Sequence, residues 1–321
     1  MSAEKPPAWR EIIPAPTRKS LHKRGPRALA RRAALPVLLV LLGALVMAYP
    51  VAATLINDAR QQRIAQAYSV EVAQTGASRV TQAIQQAHEY NDHLVSKPIL
   101  DPWLHRVTPD SAPYRQYLGQ LNFASEMGRI RIPKIGVNLP ILHGTSQETL
   151  ARGIGHLFGT SLPVGGKSTH AVLTGHSALG TATLFDNLPQ LREGDIFSVD
   201  VGNETLAYRV RGTRVVLPNQ TDTLGAEDGK DLITLITCTP YGVNTHRLLV
   251  TAERTSLNPS EAKALTTPPS WLDRLVAAPR WMLIMSALPV AALALMGWLI
   301  VGGKRRKKQA EAEILPPAPP A

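Results

Sequence analysis

The chain contains a single cysteine, Cys238, which lies between an apolar run and a turn. Residues 232–237 consist of leucine, isoleucine and threonine, a composition typical of a buried strand. A Pro-Tyr-Gly turn follows at residues 240–242, and a second apolar run begins directly after Arg247. The pattern predicts two strands joined by a loop, with a thiol at the end of the first strand and a guanidinium at the start of the second.

A thiol and a guanidinium on neighbouring strands could together carry out acyl transfer. A thiolate is a strong nucleophile, and a guanidinium keeps its charge and offers several donors to a developing oxyanion. The best candidate for a base is His176, which follows the apolar run at residues 171–173. Neighbours on a strand point to opposite faces, so only one of His246 and Arg247 can face Cys238, and we expect it to be Arg247. These residue types favour a cysteine transpeptidase or protease.

The residues around this pair resemble the active-site signature of the sortases, the transpeptidases of Gram-positive cell surfaces. The string TCTPYGVNTHR occupies residues 237–247, and the string TGHS occupies residues 174–177. Cys238 lies nine residues before Arg247 and about sixty residues after His176, as it does in that family.

The resemblance implies a role for each of the three residues. Cys238 would attack a backbone carbonyl and form a thioester, and His176 would protonate the leaving amine and later deprotonate the incoming one. Arg247 would donate hydrogen bonds to the substrate carbonyl oxygen or hold the recognised motif of the substrate in place. The flanking Thr237 and Thr239 could help to bind the substrate or could be purely structural, and no third triad member is assigned. No cofactor is expected, and the dispersed histidines lack a metal-binding spacing.

A second motif lies in the proline-rich segment at residues 96–117, which is predicted to be a loop. The tripeptide Asp-Pro-Trp that begins at Asp101 resembles the Asp-Pro-aromatic lid of the pilin-polymerising class C sortases. By that resemblance, Asp101 would pair with Arg247, and the ring of Trp103 would pack over Cys238. A carboxylate would neutralise the guanidinium at rest, and an aromatic ring would shield the thiol.

These resemblances imply a class C–like sortase. Such an enzyme cleaves an LPxTG-like sorting signal between threonine and glycine, and it passes the acyl group to a lysine amine of the next pilin. The expected partners are therefore pilins or surface proteins that carry this signal. One alternative is a housekeeping sortase, whose acceptor is a cell-wall precursor, and another is a non-catalytic membrane-tethered adhesin or pilus scaffold.

The net charge of +11 first suggests nucleic acid or a membrane surface as the partner. Residues 1–32 carry 9 basic and 2 acidic side chains, and residues 280–321 carry 6 basic and 2 acidic ones. Residues 57–279 carry 20 of each, so the central part of the chain is neutral. The basic surplus lies at the two ends, and a nucleic-acid partner is not expected.

Two uncharged segments are long enough to span a bilayer of roughly 30 Å. They occupy residues 33–56 and residues 281–301, and a basic cluster follows the second one at residues 304–308. Basic flanks favour the cytoplasm, which predicts two membrane spans with both termini inside and the central part outside. For the first segment, a cleaved signal peptide with its cleavage site near residues 51–53 is the alternative.

The remaining pattern predicts an all-β fold, a closed barrel of about eight strands with short helices, N-terminal helices and two transmembrane helices. Seven β-like runs are visible, at residues 129–132, 137–142, 169–174, 196–201, 205–216, 232–237 and 247–252. The expected organisation is a basic tail at 1–32, a span at 33–56, a helical stalk and lid loop at 57–127, the catalytic barrel at 128–255, a linker at 256–280, a span at 281–301 and a tail at 302–321.

Overall fold

Eight strands form a closed barrel in the computed structural model of the chain, which describes residues 26–94, 111–267 and 280–313. The strands are β1 Gly128–Ile132, β2 Val137–His143, β3 Ile154–His156, β4 Thr169–Thr174, β5 Ile196–Val201, β6 Glu204–Val216, β7 Asp231–Thr239 and β8 His246–Arg254. The prediction of an all-β barrel is confirmed.

The order of the strands around the barrel is β1-β2-β3-β4-β7-β8-β6-β5, and β5 closes the ring by pairing with β1. The pairs β2–β3 and β4–β7 are parallel, and the other pairs are antiparallel. Strand β7 therefore lies between β4 and β8. Seven consecutive residues of β7 are buried, because this strand is covered on both faces, and this explains its uninterrupted apolar sequence.

Helices flank the barrel in the described part of the chain. They are α1 Pro26–Thr75, α2 Ala77–Asp92, α3 Ala112–Leu118, α4 Gln147–Arg152, α5 Pro259–Thr266 and α6 Arg280–Glu313, with short 3-10 turns at residues 133–135, 188–190 and 222–224. The chain divides into two compact units, one of residues 46–291 and one of residues 1–45 with 292–321. The first of these contains the whole barrel.

The helices that precede the barrel pack against its wall. The hydroxyl of Tyr68 in α1 accepts a hydrogen bond from the N–H of Gly202 at 2.7 Å. In α2, the Asn91 side chain bonds the backbone of Leu162 in both directions, at 3.1 and 2.7 Å. The segment at 57–127, predicted to be a helical stalk and lid loop, therefore has helices that lie on the barrel.

Two helices are long and apolar enough to cross a membrane, judged by length and composition. These stretches are Leu35–Thr75 within α1 and Trp281–Trp298 within α6. The spans predicted at residues 33–56 and 281–301 overlap them.

Two local predictions differ from the structure. Strand β3 was not predicted, because its three residues, Ile154–His156, are too short to show an alternating pattern. The loop predicted at residues 96–117 ends in α3, where Pro113 occupies one of the first two helical positions and a proline is tolerated. Asp101 and Trp103 lie outside the described residues.

A buried histidine joins α3 to the barrel. His156 is completely buried, and its ring stacks on Tyr117 with the centroids 5.6 Å apart. Its Nδ1 lies 3.0 Å from the Tyr117 hydroxyl, and its Nε2 lies 2.8 Å from the carbonyl oxygen of Ser161. Burial lowers the pKa of His156 to about 4, because the charged imidazolium loses its hydration.

We expect the stability of the domain to fall as the pH drops from about 6.5 to 4. The folded pKa of His156 lies below its ordinary value of 6.5, so the unfolded chain takes up a proton first. The full difference corresponds to roughly 3 kcal/mol. His156→Gln should unfold at a lower temperature than the wild type at pH 7.5 but lose less stability on acidification. Thermal unfolding at several pH values measures this.

The matched control for this experiment is His93→Gln, because His93 is exposed at the end of α2. This variant should keep the pH dependence of the wild type. If the wild-type and His156→Gln curves stay parallel between pH 6.5 and 4, His156 does not titrate as described.

Candidate active site

Strands β7 and β8 form an antiparallel hairpin whose register sets Cys238 directly opposite Arg247. Side chains of directly opposed residues lie on the same face of a sheet, so the thiol and the guanidinium share one face. Both residues are largely buried, with 8% and 9% of their surface exposed. The next pair in the register is Thr239 with His246, which belongs to the other face. The cross-strand neighbour of Cys238 is therefore Arg247 and not His246.

The turn between β7 and β8 orients the guanidinium. The carbonyl oxygen of Pro240 accepts hydrogen bonds from the N–H groups of Val243 and Asn244, at 3.0 and 2.9 Å. Asn244 has a left-handed backbone with φ of 61°, which asparagine tolerates better than most residues. The Nη1 of Arg247 donates to the carbonyl oxygens of Asn244 and His246, at 3.1 and 3.2 Å. The shape of the turn thus fixes where the charge lies.

Strand β4 is parallel to β7 and brings His176 to the level of Cys238. The N–H of Gly175 donates to the carbonyl oxygen of Ile236 at 3.0 Å. The hydroxyl of Ser177 donates to the carbonyl oxygen of Cys238 at 2.8 Å. The residues on both sides of His176 are therefore hydrogen-bonded to the backbone of β7. His176 can move away from Cys238 only if these hydrogen bonds break.

Gly175 allows this close approach because no larger residue fits there. A Cβ atom would lie 2.6 Å from Cδ1 of Ile154 and 2.9 Å from Cδ2 of Phe185. The carbonyl oxygen of Gly175 also accepts a hydrogen bond from the hydroxyl of Thr237 at 2.8 Å. Thr237, whose role the sequence leaves open, therefore binds the backbone just before His176.

Residues 176–186 form a closed loop, which we call the histidine loop. The N–H of Phe185 donates to the carbonyl oxygen of His176 at 3.1 Å and closes the neck of the loop. The Asp186 carboxylate accepts a hydrogen bond from the N–H of Ala178 at 2.7 Å. His176 lies at the neck, so its backbone position depends on how this loop is held.

Burial lowers the pKa of His176 below its ordinary value of 6.5. The imidazole is therefore mainly neutral at neutral pH and can accept a proton. Among the described residues, no group of three or more histidine, cysteine or acidic side chains could hold a metal ion. The chemistry that this arrangement of groups supports is proton transfer beside a nucleophilic thiol.

A small apolar cluster lies on the same outer face of the barrel as the thiol. Ile236 precedes Cys238 by two positions, and Leu249 follows Arg247 by two, so all four share one face. The cluster consists of Leu157, Val172, Val216, Leu224, Ile236 and Leu249. All six side chains are buried, so this apolar strip is packed core on the face that Cys238 shares.

The structure brings together three of the five residues that the sequence singles out. Cys238, His176 and Arg247 meet at one end of the barrel, and the lid residues Asp101 and Trp103 lie outside the described part. Sequence reasoning missed two other residues near the histidine. They are Ser177, whose partner is a backbone carbonyl of β7, and Asp186, which accepts from the N–H of Ala178.

Comparison with known proteins identifies the domain. The family profile of the sortase domain matches residues 130–255, almost the entire barrel. The solved structure of sortase C-1 from Actinomyces oris (formerly Actinomyces naeslundii) is 55% identical, and the match covers 56% of this chain and 100% of that one, with a TM-score of 0.56. The chain belongs to the sortase family. Homologues in this family are cysteine transpeptidases, so this sortase is an enzyme that acts on peptide bonds, which argues against the non-catalytic scaffold.

Two further sortases have similar solved structures. Sortase A from Corynebacterium diphtheriae is 47% identical, and the match covers 65% of this sortase and 100% of that chain, with a TM-score of 0.58. A lid mutant of that protein is 46% identical, and the match covers 58% of this sortase and 98% of that chain, with a TM-score of 0.54. Sortase C from Streptococcus pneumoniae is 35% identical, and the match covers 61% of this sortase and 97% of that chain, with a TM-score of 0.55. That structure is described for its catalysis and pilin substrate specificity.

The facing pair in this sortase yields a prediction about Arg247. We expect Arg247→Lys to lower kcat on the order of a hundredfold, because a lysine cannot reproduce the planar set of donors although it keeps the charge. His246→Ala should be mild by comparison, since its side chain belongs to the other face. Steady-state cleavage of a sorting-signal peptide measures both. The opposite order of effects would contradict the assignment of faces.

Proposed function

We propose that this sortase is a membrane-anchored transpeptidase of class C type. It cleaves an LPxTG-like sorting signal through a thioester on Cys238 and joins pilin subunits through a lysine amine. The observation that carries the proposal is the pairing of Cys238 with Arg247, beside a histidine that is tethered to the same strand. This geometry supplies a nucleophile, a donor for an oxyanion and a proton carrier at one place.

The first half of the proposed reaction forms the thioester. Cys238 gives its proton to the neutral His176, and the thiolate attacks the carbonyl carbon of the substrate threonine. Arg247 donates hydrogen bonds to the oxyanion of the tetrahedral intermediate. The bond from threonine to glycine then breaks, and the glycine amine leaves with the proton from His176.

The second half transfers the acyl group to an amine. The ε-amine of a lysine on the next pilin attacks the thioester carbonyl, and His176 takes the proton that this amine loses. The carbon–sulfur bond breaks, and the released thiolate of Cys238 takes the proton back from His176, which restores the starting state. The product is an isopeptide bond between two subunits. The reaction is balanced without a cofactor.

The connection from β6 to β7 packs against the buried apolar strip. Leu224, in the connection from β6 to β7, packs on this strip beside Ile236. The same connection is held by His170, whose Nδ1 lies 2.8 Å from the carbonyl oxygen of Gly225. The strip and this bond together hold the connection beside β7, the strand that carries Cys238.

The nature of the acceptor rests on relatives and on the lid motif. The Actinomyces and Streptococcus relatives are sortases C, and the latter is described for pilin substrate specificity. The Corynebacterium relative is a sortase A, which keeps a cell-wall precursor as the alternative acceptor. Asp101 and Trp103 match the lid of class C enzymes by sequence, and this match favours pilin.

The two apolar helices and their basic flanks support a membrane topology. Residues 1–32 and residues 304–308 are basic, and basic flanks favour the cytoplasmic side. We therefore assign both termini to the cytoplasm and the barrel to the outside, where a sorting signal and a pilin would be met.

We expect Cys238→Ala to abolish thioester formation and pilin polymer while the domain stays folded, because the thiol is the covalent link to the substrate. His176→Ala should lose nearly as much, since the amine leaves poorly without a proton donor. A gel of pilin ladders, with alkylation of the Cys238 thiol by a peptide vinyl sulfone, measures both. Polymer formation by Cys238→Ala would refute the mechanism. In cells that lack the protein, a normal pilin ladder together with a loss of cell-wall attachment would favour the housekeeping alternative.

We expect Asp101→Ala and Trp103→Ala to speed the labelling of Cys238 by a small thiol reagent. If a lid covers the thiol, only the open fraction of the enzyme reacts, and either change raises that fraction. The double variant should not be additive, because both changes open the same lid. Asp110→Ala, at the other end of the proline-rich segment, is the control. Unchanged labelling rates in all three lid variants would leave the housekeeping sortase as the better assignment.

A further inference from the structure

The histidine loop, residues 176–186, is held from two sides besides its own neck. On one side, the Asp58 carboxylate in α1 accepts hydrogen bonds from the N–H and the hydroxyl of Thr183, at 2.9 and 2.6 Å. Asn57 of the same helix donates to the carbonyl oxygen of Thr181 at 3.2 Å. These contacts fix the far end of the loop, and the end that carries His176 needs a separate contact.

Asp186 provides that contact and reaches both halves of the site. One oxygen, Oδ1, accepts from the N–H of Ala178, two residues after His176, at 2.7 Å. The other oxygen, Oδ2, accepts from the hydroxyl of Tyr241 at 3.3 Å. Tyr241 lies in the turn between Cys238 and Arg247. A single carboxylate therefore joins the backbone after the histidine to the turn that connects the cysteine and the arginine.

The backbone conformation at Ala178 indicates that the hydrogen bond to Asp186 stabilises the loop. Ala178 has a left-handed backbone with φ of 59°, a conformation that disfavours an alanine without an added interaction. Its N–H bond to Asp186 is one of the shorter hydrogen bonds of the loop, and it stabilises this strained residue. The backbone bends at Ala178, so releasing the bond would free the backbone next to His176.

We propose that Asp186 is a positioning residue of this active site, which holds the turn after His176 against the turn between Cys238 and Arg247. The proposal rests on the catalytic roles proposed above for those three residues. Asp186 acts through its two acceptor oxygens and does not itself exchange a proton with the substrate.

The raised pKa of the Asp186 carboxyl means that its ionised form lowers the stability of the fold. Burial raises the pKa of its carboxyl to about 6, although the bonds from Ala178 and Tyr241 lower it. The negative charge of Asp58 in α1 raises it further. A folded pKa above the ordinary value of 3.8 means that the stability present at low pH is lost as the pH rises through about 6. At pH 7.5 the ionised carboxylate is thus a cost to the fold.

The central experiment compares two substitutions of Asp186 at pH 7.5. Asp186→Ala removes both acceptors, and we expect kcat for cleavage of an LPxTG-type peptide to fall on the order of 10- to 100-fold with little change in KM. Asp186→Asn keeps one acceptor for Ala178 and can donate to Tyr241, so it should restore most of kcat. Because it removes the buried charge, Asp186→Asn should also unfold at a higher temperature than the wild type.

Asp195→Ala is the matched control for a lost carboxylate in a turn. Asp195 accepts from the N–H of Arg192 at 2.6 Å and from Lys134 at 2.6 Å, outside the candidate active site. This variant should lose stability while kcat stays at the wild-type value. A fall in kcat equal to that of Asp186→Ala would show that any loosened turn has this effect, and the proposal would be wrong.

Tyr241→Phe tests the second contact and remains informative if Asp186→Ala does not fold. We expect a smaller fall in kcat, and the double variant Asp186→Ala/Tyr241→Phe should be no slower than Asp186→Ala, since both changes break one connection. Wild-type kcat in Asp186→Ala, or in Tyr241→Phe where the former is unfolded, would overturn the proposal.

Failure of this proposal can be told apart from failure of the proposed function. If Cys238→Ala and His176→Ala are inactive while Asp186→Ala is fully active, only the positioning role is lost. If Cys238→Ala keeps its activity, the catalytic assignment itself fails.

Discussion

The hydrogen-bond register of β7 is the constraint on which the active site depends. β7 is paired with β4 in parallel and with β8 antiparallel, and the two registers together bring His176 and Arg247 to Cys238. Side chains alternate along a strand, so a slip of one residue would turn Cys238 into the barrel interior and Leu235 out of it. The apolar interior prevents that slip. The packing of the core thereby determines which groups can react on the outer face.

Beyond the ends of the strands, hydrogen bonds from side chains to the backbone hold the chain in place where the sheet hydrogen bonds have stopped. The hydroxyl of Thr237 bonds the carbonyl oxygen of Gly175, and the hydroxyl of Ser177 bonds that of Cys238, so β7 and the segment after β4 hold each other reciprocally. Each such bond contributes only about 1 kcal/mol. A buried carbonyl without its partner would cost more than that, which keeps the segment in one position.

The sequence predicted the elements whose signal is local, and it missed those that depend on distant partners. The apolar runs gave seven of the eight strands to within about two residues, and the motif around Cys238 singled out His176 and Arg247. β3 is a strand only because β2 and β4 flank it, and its three residues carry no periodic signal. Asp186 is an ordinary turn aspartate by sequence, and its significance comes from Tyr241, 55 positions away.

The end of the apolar segment of α1 contacts the histidine loop. The uncharged segment of α1 ends at Ile56, and the next two residues, Asn57 and Asp58, bind the histidine loop. The hydroxyl of Thr54, which is fully buried, lies 2.9 Å from the carbonyl oxygen of Pro50 and 3.3 Å from that of Gly180. The end of the apolar helix and the loop that carries the proposed proton carrier are therefore joined within one turn of helix. A shift of this part of α1 would therefore act on the histidine loop through these hydrogen bonds.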